Sequence, residues 1–330
     1  MSALPAATPS PRKRNVVKRL VLLIVLLAAA TLCALCADLF WFFELFTHFV
    51  PWYTGFALLL AIGFAFARCW RWVAGALLLA LWHGYAVVSY LAPATTMAAS
   101  TGPTGNNKLT IFHYNAYLHH ADPRRVSTYL RREKDIDVIV ILEASPRFND
   151  VLADLKETHP HQITHIEDSP FGIAVASRVP IDFGAVSRKP SGYPWIELTL
   201  KLPGRAVPLA LYAIHPPPPI TGELAAARDE TLMHIAGKTA AQPQATPVVV
   251  GDFNITPWSS AFSRFEKASG LRPAHTPWRI DNTWPVTFNN ANFGIAIDHS
   301  FAHPALTLVK RMIGPDLGSD HMPVTATWAY

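Results

Sequence analysis

Apolar residues are distributed unevenly along this chain, and the long unbroken runs all lie within the first hundred residues. Runs without Asp, Glu, Lys or Arg occupy residues 20–37, 49–67 and 72–92. Each run approaches the ~20 apolar residues that an α-helix needs to cross a bilayer. Aromatic side chains between the first two runs, such as Trp41 and Trp52, suit a membrane interface. The pattern predicts a membrane region, residues 1–92, with three transmembrane helices.

A cleaved signal peptide is the alternative for the first run, and a buried helical hairpin is the alternative for the other two. The first run is longer than the ~7–15 residues of a signal-peptide core. No small-residue cleavage site follows it, and two further apolar runs come next. The unbroken apolarity of the second and third runs favours membrane spans over a hairpin inside a soluble core.

The distribution of basic residues predicts an orientation. Five Lys or Arg residues precede or begin the first run, and Arg68 and Arg71 lie in the link between the second and third runs. The loop between the first two runs carries Asp38 and Glu44 instead. Because cytoplasmic loops are enriched in Lys and Arg, we expect a multi-pass protein of the cell membrane. Its N-terminus would be cytoplasmic and everything after residue 92 extracytoplasmic.

The hydrophobic pattern changes downstream of the third run. Residues 93–107 are small, polar and rich in Pro and Gly, which is typical of a linker. Strands are predicted at residues 109–114, 136–142, 172–176, 195–200, 208–214, 247–250, 294–297 and 324–328. Helices are predicted at residues 123–134, 146–159, 223–240 and 259–269. This mixture predicts that residues 108–330 form one α/β domain, with helices covering packed sheets.

Charge and cysteine content narrow the classes of partner. The chain has a formal net charge of +5, and residues 1–107 account for all of it, because residues 108–330 hold equal numbers of basic and acidic residues. A nucleic-acid-binding domain usually shows a strong basic footprint, and this domain has none in bulk, although a local patch stays open. All three cysteines lie before residue 93, so the downstream domain has neither a disulfide nor a thiolate metal site.

Polar residues that can bind a metal or move a proton stand at the ends of six apolar segments. They are Asn115, Glu143, His215, Asp252 with Asn254, Asp298, and Asp320 with His321. Taken singly, each has a structural explanation as a turn, a cap or a buried histidine. Ligand sites in layered α/β folds gather at one end of the strands, so the set predicts a single site. Asp252 and Asn254 are two positions apart and would point to the same face.

These residue types favour one kind of chemistry. Carboxylate and amide oxygens prefer hard cations such as Mg²⁺ or Mn²⁺. Magnesium sites usually keep positions for water and phosphate oxygens. Histidines beside such a site can stabilise phosphate charge or transfer protons. The set therefore predicts a Mg²⁺ or Mn²⁺ site beside which a phosphate group could bind.

From about residue 109 to 328 the sequence resembles the endonuclease/exonuclease/phosphatase superfamily, whose fold is the deoxyribonuclease I-like four-layer α/β sandwich. The motifs occur in the family order: Asn115, LE at 142–143, SRVP at 177–180, His215, GDFN at 251–254, TWP at 283–285, ID at 297–298 and SDH at 319–321. The resemblance implies this fold, preceded here by three transmembrane helices. It also implies a metal-dependent hydrolase acting on phosphoric ester bonds.

The resemblance also implies a role for each matching residue. Glu143 corresponds to the principal metal ligand, with Asn115 and Asp320 close to the metal. Asp252 corresponds to the residue that orients or deprotonates the attacking water, and Asn254 to a phosphate ligand. Asp298 would hold His321 in its working orientation. His321 and His215 would contact the scissile phosphate, and the motif leaves open which histidine is the acid.

Two departures leave the substrate open. The family's usual Gln before the metal-binding Glu is Leu142 here, and four prolines at 216–219 follow His215. The main hypothesis is a membrane-anchored phosphodiesterase, with nuclease activity among its options. A phospholipid hydrolase of the sphingomyelinase type and a phosphomonoester hydrolase are the alternatives, and a catalytically silent binding module is the third class. The expected partners are a nucleic acid or phospholipid substrate and the lipid bilayer.

Overall fold

The computed structural model describes residues 11–92, 107–242, 244–285 and 294–330 of the chain. The chain divides into two compact units, Met1–Tyr90 and Leu91–Tyr330. Most of the predicted linker, residues 93–106, lies outside the described residues.

The first unit is helical. It contains α1 (Pro11–Leu35), α2 (Trp41–Glu44), α3 (Val50–Phe66) and α4 (Trp70–Leu91), with a 3₁₀ turn at Leu45–Phe49 between α2 and α3. Three helical stretches are long and apolar enough to cross a membrane: Pro11–Leu35, Trp41–Phe66 and Trp70–Leu91. Each overlaps one of the three apolar runs, and the second begins at Trp41, before the run at 49–67. The first begins earlier than its run because Lys and Arg, which are good helix formers, continue the helix.

The helices of the first unit pack through small and polar residues. Gly63 of α3 lies against the side chain of Leu20 of α1, and small residues of this kind let helices approach closely. The Thr31 hydroxyl donates to the Leu27 carbonyl at 2.8 Å. It therefore accepts the hydrogen bond from Nε2 of His83, which lies 2.9 Å away. This second bond ties α1 to α4.

The second unit contains two six-stranded mixed sheets. Its strands are β1 (Lys108–Asn115), β2 (Val138–Leu142), β3 (His161–His165), β4 (Ile173–Ser177), β5 (Ile181–Ser187), β6 (Trp195–Leu200), β7 (Leu209–Ile214), β8 (Thr246–Asp252), β9 (Arg272–Pro273), β10 (Asp298–Ala302), β11 (Thr307–Ile313) and β12 (Val324–Ala329). The first sheet has the order β11-β12-β1-β2-β4-β3, and the second has the order β5-β6-β7-β8-β10-β9. Each sheet contains one parallel pair, β1–β2 in the first and β7–β8 in the second.

Helices cover the outer faces of both sheets. They are α5 (Pro123–Arg132), α6 (Asn149–Leu155), α7 (Gly222–Ala240) and α8 (Ser260–Ser269). Because side chains alternate along a strand, Leu109 and Ile111 of β1 enter the core between the sheets. Phe112 belongs to a separate apolar cluster with residues of α5 and α6. Phe265 of α8 packs on Phe301 of the second sheet, with ring centroids 4.9 Å apart. The unit is a four-layer α/β sandwich, which confirms the predicted fold class.

Two predicted elements differ from the structure. The strand predicted at 294–297 is wrong: β10 spans Asp298–Ala302, and Ile295 forms only a single bridge to Trp284. The apolar run precedes a strand that begins with buried polar side chains, such as His299, whose Nε2 donates to the Ile255 carbonyl at 2.8 Å. The helix predicted at 146–159 is a 3₁₀ turn, Pro146–Phe148, followed by α6, which ends at Leu155.

Besides β10, four strands were not predicted, namely β3, β5, β9 and β11. All four lie at the edges of the two sheets. Edge strands are only partly covered and carry polar residues that protect the unpaired edge. In β5 no residue is fully buried, so it lacks the apolar run by which a central strand is recognised.

Candidate active site

The two parallel strand pairs bring four of the predicted residues to one place. In the first sheet, Asn115 is the last residue of β1 and Glu143 directly follows β2. In the second sheet, His215 directly follows β7 and Asp252 is the last residue of β8. Ligands in layered α/β folds bind beyond the carboxyl ends of parallel strands. The strand ends therefore supply the frame of the candidate site.

Three contacts join the two sheets at this point, which we call the seam. Asn115 Nδ2 donates to Asp252 Oδ2 at 3.1 Å, His321 Nδ1 lies 2.9 Å from Asp298 Oδ2, and His215 Nε2 lies 3.9 Å from Glu143 Oε1. In each contact, one residue belongs to the first sheet or its adjoining loops, and its partner belongs to the second sheet or its adjoining loops. The geometry of the seam consequently depends on both sheets.

Asp252 lies at the centre of the seam. Its Oδ2 atom is 3.6 Å from Nε2 of His215 and 3.7 Å from Nε2 of His321. Its Oδ1 atom accepts the backbone N–H of Asn254 at 2.9 Å. Burial and the Asp298 charge raise the pKa of Asp252 to about 7, although His321 and the hydrogen bonds oppose this shift. The carboxyl group is thus prepared to exchange a proton near neutral pH.

The backbone around Asp252 explains the GDFN sequence. Gly251 has φ +146°, and a Cβ at this position would lie 1.9 Å from the Ile214 carbonyl oxygen, so only glycine fits. Asn254 has φ +53°, a conformation that Asn tolerates better than most residues. Its Nδ2 donates to the carbonyl of Pro216 at 3.0 Å. The first of the four prolines thereby fixes the amide beside Asp252.

Glu143 is held in an unusual backbone conformation, with φ +55°. Such strain persists mainly where the surrounding structure enforces it, often at functional sites. Burial raises the pKa of the Glu143 carboxyl to about 7, and the nearby Asp320 carboxylate adds to the effect. Hydrogen bonds from the Asn115 side chain and the Leu118 backbone, together with His321, act in the opposite direction.

Asp298 and His321 form a buried, hydrogen-bonded pair. Burial alone would lower the pKa of His321, but the charge and hydrogen bond of Asp298, with the charges of Asp252 and Asp320, raise it to about 9. Burial likewise would raise the pKa of Asp298, yet His321 lowers it. The pair is therefore charged at neutral pH, and its geometry leaves His321 Nε2 directed at Asp252.

His215 differs from His321 although both are buried. Burial, followed by the charge of His321, lowers the pKa of His215 to about 4. At pH 7 the site thus holds one charged and one neutral imidazole. Two titratable groups whose pKa values are displaced in opposite directions indicate a division between acid and hydrogen-bond roles.

Three residues support the site but were given no role by sequence reasoning. Ser319 Oγ donates to the Asn115 carbonyl at 2.8 Å and accepts the His321 backbone N–H at 3.0 Å. Trp284 Nε1 donates to Asp320 Oδ2 at 2.7 Å. Thr283 Oγ1 accepts the backbone N–H of Asp298 at 3.3 Å. Their presence in the SDH and TWP motifs was the available signal.

A buried ion pair lies behind Asp298. Arg311 of β11 bonds Asp281 through Nη1, and its Nη2 donates to the Asp298 carbonyl at 3.3 Å. Both charged residues are buried. Sequence reasoning did not find this pair. Arg311 belongs to the first sheet and Asp298 to the second, so the guanidinium adds another link across the seam.

The charge balance of the site fits a divalent cation. Four carboxylates, those of Glu143, Asp252, Asp298 and Asp320, surround two imidazoles of which one is charged. Asp252, Asp298 and His321 have ligand atoms within 4.8 Å of one another, but His321 Nδ1 is already engaged by Asp298. The side-chain oxygens of Glu143, Asn115 and Asp320 are of the type that a hard cation prefers, and Asn115 Oδ1 already accepts the Tyr117 backbone N–H at 3.0 Å.

Comparison with known proteins identifies the fold and the family. The sequence model of the Endonuclease/Exonuclease/phosphatase family matches residues 112–321, which is more than half of the chain. An endonuclease/exonuclease/phosphatase from Beutenbergia cavernae is similar with a TM-score of 0.52 and 20% identity, over 68% of this chain and 72% of that chain. No curated protein gives a significant sequence match.

Two further solved structures share the fold. D. rerio TDP2 complexed with a single-strand DNA product has a TM-score of 0.56 and 16% identity, over 68% of this chain and 100% of that chain. Sphingomyelinase C from Streptomyces griseocarneus has a TM-score of 0.50 and 16% identity, over 68% of this chain and 100% of that chain. Members of the matched family are phosphoester hydrolases and are generally dependent on a divalent metal ion. The extent of the family match shows that this chain belongs to the Endonuclease/Exonuclease/phosphatase family.

Proposed function

We propose that this protein is a membrane-anchored, Mg²⁺-dependent phosphodiesterase that hydrolyses its substrate by in-line attack of an activated water. The observation that carries the proposal is the position of Asp252, whose Oδ2 atom lies between two imidazoles. Around it, carboxylates outnumber cationic groups. An anionic phosphodiester would be repelled by such a site unless a cation were bound there.

Glu143, Asn115 and Asp320 would hold the cation. Mg²⁺, or Mn²⁺ in its place, would supply Lewis-acid charge for the phosphate oxygens when bound. Trp284 fixes Asp320 by its indole N–H, and the backbone of Leu118 restrains Glu143. These bonds set the orientation of the two carboxylates before any ligand arrives.

Asp252 would accept the proton of the attacking water at Oδ2. Asn115 donates to the same oxygen, and Asn254 donates to the other, so the carboxylate cannot rotate freely. An amide has two N–H groups. The Asn254 side chain gives one to the Pro216 carbonyl, and we assign the other to a phosphate oxygen.

The two histidines would take different parts. His321, with its pKa raised to about 9, is protonated at neutral pH and would stabilise negative charge on the phosphate oxygens and protonate the leaving oxygen. His215, with its pKa lowered to about 4, is neutral and would donate one hydrogen bond to a phosphate oxygen. Asp298 fixes the ring of His321 and compensates its charge.

Two substrate classes fit this chemistry. Nucleic acids are one, and the D. rerio TDP2 structure contains a single-strand DNA product. Phospholipids are the second, and a sphingomyelinase shares the fold. The net neutrality of residues 108–330 and the three apolar helices favour the phospholipid class, since nucleic-acid affinity relies on basic residues. A phosphomonoester remains the third alternative.

A substrate panel tests this proposal. The full chain in neutral detergent is assayed with bis(p-nitrophenyl) phosphate, p-nitrophenyl phosphate, single-stranded and duplex DNA, sphingomyelin and phosphatidylcholine. We expect turnover of diesters over the monoester, loss of turnover with EDTA, and recovery with Mg²⁺ or Mn²⁺. Full activity after metal removal would contradict the metal mechanism, and failure on every diester would contradict the phosphodiesterase assignment.

We also propose the division into a membrane region (1–92), a linker (93–107) and a catalytic domain (108–330), with the N-terminus cytoplasmic. The support is the asymmetry of Lys and Arg around the apolar helices. Reporter fusions after Arg71 and after Tyr330 test the topology. The first should report the cytoplasm and the second the opposite side, and a cytoplasmic signal at Tyr330 would contradict it.

A further inference from the structure

A cavity of about 520 Å³ opens in the helical unit, and all of its lining residues belong to that unit. Its lining consists of Lys13, Arg14, Val17, Lys18, Val21, Ala67 and Cys69. Three of these residues are cationic and the other four present apolar or weakly polar atoms. The cavity therefore joins a concentrated positive charge to an apolar surface.

The geometry of α1 determines which basic side chains line the cavity. Lys13, Val17 and Val21 are spaced by four residues and share one face of α1, and Arg14 and Lys18 form the adjoining row. The same helix carries Arg12 and Arg19, but these two do not line the cavity. Basic residues that only set membrane orientation need no common face. Here three of the five basic residues converge on the same space.

The opposite wall comes from the link between α3 and α4. Ala67 and Cys69 flank Arg68, which has φ +59°. The backbone of this link is fixed by bonds from Ala67 N to the Gly63 carbonyl at 3.1 Å and from Cys69 N to the Phe64 carbonyl at 2.9 Å. The wall is thus part of the folded helical unit.

We propose that this cavity binds one anionic phospholipid, with the headgroup phosphate held by Lys13, Arg14 and Lys18 and an acyl chain lying along Val17 and Val21. Basic pockets at the ends of membrane helices recognise anionic headgroups through such charge complementarity. A soluble phosphate compound would leave the valine surface unused. A zwitterionic lipid has no net charge, so it would compensate one unit less of the positive charge than an anionic lipid does. This site is independent of the proposed phosphodiesterase activity.

Native mass spectrometry of the full chain in neutral detergent tests the proposal, by titration with phosphatidylglycerol and with phosphatidylcholine of the same acyl chains. We expect one molecule of phosphatidylglycerol to bind before any phosphatidylcholine. The double variant Arg14→Gln/Lys18→Gln should weaken that binding by roughly tenfold to thirtyfold, because each basic residue near an anionic lipid contributes about fivefold.

The matched control is Arg12→Gln/Arg19→Gln, which removes the same charge from the same helix outside the cavity. It should leave phosphatidylglycerol affinity within about twofold of the wild type, as screened surface charges contribute little. Equal losses of phosphatidylglycerol affinity in the two double variants would overturn the proposal in favour of nonspecific electrostatic attraction. Equal binding of the two lipids would overturn it as well. In a third arm, inorganic phosphate at the lipid concentration should not displace phosphatidylglycerol, and complete displacement would overturn the lipid assignment.

Discussion

The two sheets of the catalytic unit contribute chemically different walls to one site. The first wall consists of Asn115, Glu143 and Asp320, whose oxygen atoms suit a hard cation. The second wall consists of His215, Asp252, Asn254 and Asp298, whose side chains are of the types that can transfer protons or form hydrogen bonds. His321 stands in the loop before β12 of the first sheet but bonds Asp298 of the second.

The two walls depend on each other for their geometry. Each central strand pair is parallel, so each sheet delivers two polar residues at the same edge. Neither wall is complete alone, because the amide of Asn115 orients Asp252 and Asp298 orients His321. A change in one wall should therefore have its own kinetic signature, and a change in the links between them should affect stability.

Removing the first wall's main charge should have the largest effect. Glu143→Ala takes away the buried carboxylate proposed as the principal metal ligand. Metal-ion catalysis contributes several kcal/mol of charge stabilisation, so we expect the turnover rate to fall by roughly 10⁴-fold. The measurement is steady-state kinetics with an isothermal Mn²⁺ titration, and the exposed Glu157→Ala is the control. If Mn²⁺ affinity is unchanged, Glu143 is not the metal ligand.

Removing the proposed proton acceptor of the second wall should have the next largest effect on the turnover rate. Asp252→Asn preserves shape but cannot accept the proton of water, so kcat should fall by about 10²–10⁴-fold. KM should change little, because this interaction is made in the transition state. A variant that keeps more than about a tenth of wild-type kcat would show that Asp252 is not the base.

Asn254→Ala is the comparison variant within the same wall. A phosphate ligand acts in the ground state and in the transition state, so KM should rise while kcat falls. Circular dichroism of both variants checks that the fold is retained. Identical kinetic changes in the two variants would remove the proposed distinction between a base and a phosphate ligand.

Breaking a link behind the walls should destabilise the fold. Arg311→Gln removes the buried guanidinium that bonds Asp281 and the Asp298 carbonyl, while Arg279 Nε remains 2.8 Å from Asp281 Oδ1. Because Asp281 keeps one cationic partner, the free energy of unfolding should fall by about 3 kcal/mol, the lower end for a broken buried ion pair. Urea unfolding of the full chain in neutral detergent measures this. The control is Arg131→Gln, whose partner Asp154 lies 2.6 Å away in an exposed pair. Exposed pairs contribute about 0–1 kcal/mol, so similar losses in both variants would contradict the link.

The sequence was sufficient to predict the central strands and the residues at their ends. Buried runs such as residues 138–142 are continuous and apolar, and a polar residue directly after them is conspicuous. The edge strands were missed because partial exposure permits polar side chains. The strand that begins at Asp298 was misplaced, since its buried Asp298, His299 and Ser300 do not read as a core segment.

Other parts of the site could not be predicted because they depend on tertiary contacts. Ser319 bonds Asn115 across 204 positions of sequence, and Arg311 bonds Asp281 across 30. The positive φ angles of Glu143 and Asn254 are likewise imposed by the surrounding fold, because an isolated chain would avoid them. The motifs therefore predicted which residues meet at the candidate site, while the structure gives the contacts that hold them.

The smallest expected effect concerns the charged pair that joins the walls. Folding raises the pKa of His321 from 6.5 to about 9, so the folded protein binds this proton more tightly than the unfolded chain. The stability it contributes is complete below pH 6.5 and is lost as pH rises through about 9. In EDTA, the free energy of unfolding should fall by roughly 2–3 kcal/mol across this interval. Urea unfolding at both limits measures the slope. The His321→Gln variant should lose most of this pH dependence of the free energy of unfolding, whereas the variant His119→Gln, at an exposed histidine, should keep it. A wild-type slope in His321→Gln would show that another group titrates there, and the walls would then lack this charged link.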